Sequence, residues 1–110
     1  MTYTLGMSEA EIFRALGDPT RRAIFEKLAE GTQNATQLRD GLPISQPAMS
    51  QHLAVLREAG LIREQRAGRA IHYSLAPQGL APLRDWMLRY RAFWPERLED
   101  LKTLLGEMDQ

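Results

Sequence analysis

The chain contains no cysteine. That excludes disulfide staples and thiolate metal ligation, and it fits a reducing, cytoplasmic compartment. Net charge is also missing, since 14 basic residues offset 14 acidic ones among 110; no general basic field argues for a polyanionic partner. No apolar run approaches the roughly 20 residues of a membrane span. The opening MTYTLGMSEAE lacks the basic-then-apolar pattern of a secretory signal. There is no glycine-rich phosphate cradle and no nucleophile beside a base: Ser50 and His52 are two apart on a helical stretch and point in different directions. The two histidines, His52 and His72, fall on different elements and make no zinc site. Neither an enzyme nor a metal or other cofactor is expected. The length suffices for one core but not two.

What is present is concentrated between Ser45 and Tyr73. Met49, Leu53 and Leu56 recur at intervals of three and four, with His52 and Val55 beside them, so this stretch is a helix with one apolar stripe. Ser45 stands where an N-cap belongs, Pro47 is tolerated in the first turn, and Gly60 is placed to end the helix. The other face carries Gln46, Ser50, Gln51 and Ala54, amide, hydroxyl and methyl groups with almost no charge. A merely solvated face is usually filled with Lys and Glu, whereas amides and hydroxyls both donate and accept, as base edges in a major groove require. After Gly60 the period becomes two: Ile71, Tyr73 and Leu75 share one side of a strand, Ala70, His72 and Ser74 the other, and Leu61 to Gln65 supply a partner strand. Arg66, Ala67, Gly68 and Arg69 form the turn. Between Ser45 and Leu75 four arginines face two glutamates. That local bias of plus two makes any DNA binding depend on a few placed arginines.

Upstream, residues 1–7 read as an arm, and Ser8 with Glu11 forms a capping-box pattern opening a helix whose Ile12, Phe13 and Leu16 face inward. Asp18-Pro19 starts a second helix, striped by Ile24, Phe25 and Leu28 and stopped by Gly31. Arg21 and Arg22 fall in its first turn, a poor place for cations; they are expected to be solvated or paired with carboxylates such as Asp18, the alternatives being a phosphate contact or an intersubunit ion pair. Asn34 and Gln37 cap a short third helix carrying Leu38 and Leu42, with residues 41–44 as the turn of a helix-turn-helix.

Downstream, Leu80, Leu83, Met87, Tyr90, Trp94, Leu98, Leu101 and Leu105 trace a long helical stripe that Pro95 interrupts, so a kink or break is expected near Phe93 and Trp94, with Pro95 opening a last helix. Trp86, Tyr90, Phe93 and Trp94 are too much apolar area to leave exposed. Burial against a second subunit is their simplest use, lining of a ligand pocket the lesser alternative.

Three pieces in order, LGDPTRRAIFEKLAEG (16–31), ISQPAMSQHLAVLREAGLI (44–62) and RAGRAIHYSL (66–75), resemble the winged helix-turn-helix of the ArsR/SmtB family of bacterial transcriptional repressors. The Ser-x-His-Leu-x-x-Leu-Arg-x-x-Gly-Leu run at 50–61 is the most specific. The resemblance implies a mostly α fold with a small β-hairpin: a winged-helix core over 8–78 and C-terminal dimerisation helices over 79–108. It implies a homodimer whose first and terminal helices meet, through Ile12, Phe13, Trp86, Tyr90, Phe93, Trp94, Leu98, Leu101 and Leu105. It also implies contacts to double-stranded DNA from Ser45, Gln46, Pro47, Ala48, Ser50 and Gln51, from Arg66 and Arg69 in the wing, and more weakly from Arg57 and Tyr73. The paired cysteines of the arsenic- and cadmium-sensing members are absent, residues 35–40 reading AlaThrGlnLeuArgAsp.

Each assignment has a plainer counterpart. Gln46, Ser50 and Gln51 are otherwise a solvated helix face, Arg66 and Arg69 solvated turn charges, and His52 a packed, hydrogen-bonded histidine. The reading as a whole is a homodimeric repressor on a pseudo-palindromic operator, its inducing signal open between a small molecule, another protein and the amount of repressor. Near-neutral charge keeps one alternative alive, a winged-helix protein-interaction module without DNA binding.

Overall fold

A computed structural model describes residues 3–95, with side chains from residue 9 onward. Five α-helices and three strands follow in the order α1 (Tyr3–Gly17), α2 (Pro19–Ala29), β1 (Gln33–Asn34), α3 (Ala35–Arg39), α4 (Gln46–Glu58), β2 (Ile62–Ala67), β3 (Ala70–Leu75) and α5 (Ala81–Arg89), then a 3-10 turn over Arg91–Phe93.

The helix starts are written in their capping residues. Asp18 accepts from the Arg21 N–H at 2.9 Å, with Pro19 at the first helical position of α2. That bond, aided by the Arg21 charge and opposed by burial, holds the Asp18 carboxyl below the ordinary carboxylate range. Asn34 and Gln37 form a reciprocal capping box at α3, both bonds 2.8 Å. Helix α4 ends as its glycine demands. Gly60 sits at φ 79°, its N–H reaches the Arg57 carbonyl at 2.9 Å, and the Leu61 N–H reaches Leu56 at 3.0 Å, so two orphan carbonyls are satisfied at once. Leu56 and Leu61, the apolar pair that accompanies this motif, are both buried.

Burial joins these elements in one core. Ile12 and Ala15 from α1, Ile24 and Leu28 from α2, Leu38 from α3, Met49, Leu53 and Leu56 from α4, and Leu61 and Ile62 at the start of the wing form a single apolar cluster. The sheet is antiparallel, in the order β1-β3-β2.

Several expectations need correction. Helix α1 starts at Tyr3, not at Ser8; no proline interrupts residues 3–8, and an established helix gains a hydrogen bond with every residue it adds. A third strand, β1, pairs Gln33 with Tyr73 and Asn34 with His72, and a two-residue strand carries no periodicity to read. Arg66 lies in β2 opposite Ile71, because the hairpin turn is only Gly68-Arg69, with positive φ at the glycine alone, as in a type II′ turn. Neither Arg21 nor Arg22 forms an ion pair with a carboxylate among the described residues; Arg22 is exposed, as expected, whereas Arg21 is half-buried. Arg21 donates to the carbonyls of Ala15 (2.7 Å) and Arg14 (3.0 Å), and Arg22 to those of Leu16 (2.7 Å) and Gly17 (3.3 Å). Misplaced for their own helix, they stand at the negative end of α1, where cations belong.

The tail departs as well. Leu80 caps α5 instead of lying within it, and α5 ends at Arg89, earlier than the expected break. Trp94 adopts φ −66° and ψ 143°, the extended conformation that Pro95 imposes on its predecessor. Leu98, Leu101, Leu105 and the helix expected after Pro95 lie outside the described residues. Ion pairing of Arg89 with Glu9 and the edge-on contact of Phe13 with Trp86, centroids 5.1 Å apart, hold α5 on α1.

Residues 76–79 turn the chain from the wing into α5 against the end of α4. The Ala76 N–H bonds the Leu61 carbonyl at 2.9 Å, and a Cβ on Gly79 would stand 2.7 Å from the Gly60 carbonyl oxygen. Backbone cannot yield there as a flexible side chain can, so Gly79→Ala is expected to lower the unfolding free energy by about 1–3 kcal/mol, read from urea denaturation.

Candidate nucleic-acid interface

The core decides which way α4 faces. Met49 and Leu56 are at most 1% exposed and Leu53 3%, so the opposite side, with Gln46, Pro47, Ser50 and Gln51, is turned to solvent. Ala48 is half-buried. Ser45 Oγ accepts from the Ala48 N–H at 3.2 Å and so caps the helix. Gln46, Ser50 and Arg57, spaced by four and seven, share one stripe of the exposed side. His52 is half-buried, its Nδ1 3.4 Å from Arg21 Nη1; a guanidinium only donates, so the imidazole accepts there. His52 thereby touches the same arginine that closes α1.

The wing stands beside this helix. Alternation from buried Ile62 places Glu64 and Arg66 on the side of the sheet that faces the core, across from Tyr73 and Ile71. Arg63, Gln65, His72 and Ser74 occupy the other side. Arg57 donates to Glu64 across the angle between α4 and β2 at 3.0 Å, both side chains more than a third exposed. An exposed pair of this kind adds at most about 1 kcal/mol to stability, so what matters is where it puts the charges. Tyr73 packs on the core from β3. Burial pushes its hydroxyl above the usual tyrosine range, Glu64 adding to the effect and Arg57 opposing it. Arg66 and Arg69 are exposed and have no hydrogen-bond or ion-pair partner among the described residues.

Most residues expected at the DNA face are exposed: Ser45 at the cap of α4, Gln46, Pro47, Ser50, Gln51 and Arg57 on α4, and Arg66 and Arg69 on the wing. Ala48 and Tyr73 are partly withdrawn. Of the residues expected at a subunit interface, Ile12 is 1% exposed within the chain's own core, whereas Phe13, Tyr90 and Phe93 are exposed, Phe93 by 84%. Trp86 and Trp94 are half-buried, Trp86 between Phe13 and Tyr90. The Arg57–Glu64 pair has no signature in the sequence; its seven-residue separation crosses a helix end and a turn, where no periodicity reports on contact. Among the described residues no helix is long and apolar enough to cross a membrane, and no three His, Asp or Glu side chains are grouped as a metal site.

A short capped helix, a turn, a second helix with an uncharged polar face and a basic-tipped hairpin together define a winged helix-turn-helix, a DNA-binding architecture. Comparison with known proteins agrees. A helix-turn-helix domain family model matches residues 16–65. The HTH-type transcriptional regulator Rv2034 of Mycobacterium tuberculosis is 44% identical over 93 residues, 84% of each chain. The transcriptional repressor SdpR of Bacillus subtilis is 38% identical over 79 residues, 72% of this chain and 88% of SdpR. The solved ArsR-like transcriptional regulator from Rhodococcus sp. RHA1 superposes with a TM-score of 0.70 at 33% identity, covering 89% of this chain and 92% of its own. The chain belongs to the ArsR/SmtB family of winged helix-turn-helix transcriptional regulators.

The cap at Ser45 separates helix stability from surface chemistry. Ser45→Ala is expected to lose about 1 kcal/mol of unfolding free energy in urea, whereas Ser45→Asp, which keeps an acceptor at the helix start, should lose none.

Proposed function

We propose that the protein is a homodimeric repressor in which α4 of each subunit enters the major groove of one half of a pseudo-palindromic operator. The observation that carries this reading is the pairing of an exposed, uncharged polar helix face, Gln46, Ser50 and Gln51, with an adjacent hairpin whose Arg66 and Arg69 have no partner among the described residues. Amide and hydroxyl groups read base edges, and free guanidinium groups hold phosphate. Ser45, Pro47 and Ala48 bring the start of the helix against the groove, and Arg69 reaches the flanking backbone. Tyr73 supports the wing from the core side more than it touches DNA.

Dimerisation supplies the second half-site. Phe13, Met87, Leu88, Tyr90 and Phe93 leave an apolar surface along α1, α5 and the 3-10 turn, and a second copy of the chain would remove it from water. Two-fold symmetry then places the half-sites about 34–36 Å apart, one turn of the duplex. Repression follows where that footprint overlaps a promoter.

The division of labour is testable by fluorescence anisotropy with operator DNA, selected from genomic fragments, and with scrambled duplex. Gln51→Ala is expected to weaken operator binding by about 1–3 kcal/mol and to leave scrambled DNA nearly unaffected. Arg69→Ala should weaken both, and lower the slope of log affinity against log salt by about 0.9 for each phosphate that is no longer neutralised. Equal losses from both substitutions on both DNAs would sink the assignment.

A further inference from the structure

We propose that Glu64 is a counter-charge that holds Arg57 off the phosphate backbone, so that the recognition helix meets DNA with its own cation masked. The inference rests on the DNA-binding reading above and adds a residue that limits sequence-independent affinity.

The geometry places this carboxylate where it acts. Arg57 shares its stripe of α4 with Gln46 and Ser50, so an unmated guanidinium there would lie along the flank of the groove-facing helix. Its Nη1 instead donates to Glu64 Oε1 at 3.0 Å. Glu64 belongs to the wing, not to the helix, and its strand position directs it to the core-facing side, opposite Tyr73. Two residues further along the same side is Arg66, so the carboxylate stands between a helix cation and a wing cation. Tyr73 responds to both partners, the glutamate pushing its ionisation up and the arginine pulling it down, as expected if the three groups are close together. The pair is also accessible, with 45% of the Arg57 side chain and 37% of the Glu64 side chain exposed. Once the carboxylate is removed, a guanidinium this accessible is free to reach phosphate.

The effect on binding follows from counterion release. Each arginine that reaches a phosphate steepens the salt dependence of affinity, and DNA of any sequence gains from it. An arginine committed to a carboxylate adds nothing to that term. The surface from Ser45 to Leu75 carries four arginines against two glutamates, and masking one of them leaves discrimination to the uncharged side chains of α4. Near-neutral overall charge and a masked helix cation act in the same direction. Both keep the protein off DNA that lacks the matching base edges.

The test uses the full-length protein and a fluorescent duplex of mixed sequence, followed by anisotropy across a salt series. Glu64→Gln is expected to bind this DNA more tightly than wild type at low salt, with a slope steeper by about 0.9 per freed arginine. The double substitution Glu64→Gln with Arg57→Gln should return the slope to the wild-type value, because the gain belongs to Arg57. A fold defect weakens binding and cannot imitate a tighter, more salt-sensitive complex. An unchanged slope in Glu64→Gln overturns the proposal while leaving the DNA-binding reading intact. A slope that stays steep in the double variant overturns it too, since removal of a negative charge would then act without Arg57. Wild-type protein that binds without salt dependence overturns both readings together.

Discussion

The rotation of α4 about its own axis is the constraint on which the rest depends. Met49, Leu53 and Leu56 are buried against α1, α2, α3 and the first residues of the wing, and full burial of each such side chain is worth about 1.5–3 kcal/mol. A turn of the helix by one residue would expose part of that seam and bury glutamine in its place. Fixing the apolar stripe therefore fixes the outward stripe, and Gln46, Ser50 and Gln51 need no interactions of their own to be presented. Ser45 and Gly60 then set where the helix begins and ends, so its position along the axis is settled by two residues at its termini.

Helix α2 acts as a clamp around this seam. Its Arg21 and Arg22 close the carbonyl end of α1, and its Lys27 reaches the Leu38 carbonyl at 3.3 Å at the end of α3. Three cations of one helix thus serve the negative ends of its neighbours, where helix dipoles favour them and where carbonyls would otherwise lack partners. Arg21 extends the clamp to α4 through His52. Charges that would add to a basic surface are used instead to hold helices together. Arg66 and Arg69, which have no such partner among the described residues, stand on the wing. That partition explains how a chain of zero net charge can still present cations at the edge of a DNA-binding surface.

Legibility in the sequence followed the range of the interaction. Helix starts at Asp18, Asn34 and Ser45, the stop at Gly60, and the strand from Ile71 to Leu75 are local signals, each decided within a few residues, and the structure has them where they are expected. The exposed side of α4 is legible for the same reason, because helical period alone assigns it. Contacts that join distant elements are not. Arg21 looks misplaced against its own helix, although its partners belong to the previous one; β1 is too short to show a pattern; the Arg57–Glu64 pair depends on the angle between α4 and β2. Ile12 resembles an interface residue by family likeness, but the position of α1 against Ile24 and the α4 seam puts it inside the core.

In the proposed complex, α4 of two subunits occupies two major grooves one helical turn apart. Methylation protection on an operator fragment selected from genomic DNA tests it most directly, because guanine N7 lies in the major groove and adenine N3 in the minor. Two clusters of N7 protection are expected, with centres about 10–10.5 base pairs apart and related by two-fold symmetry. A single cluster, or protection confined to adenine N3, would contradict it.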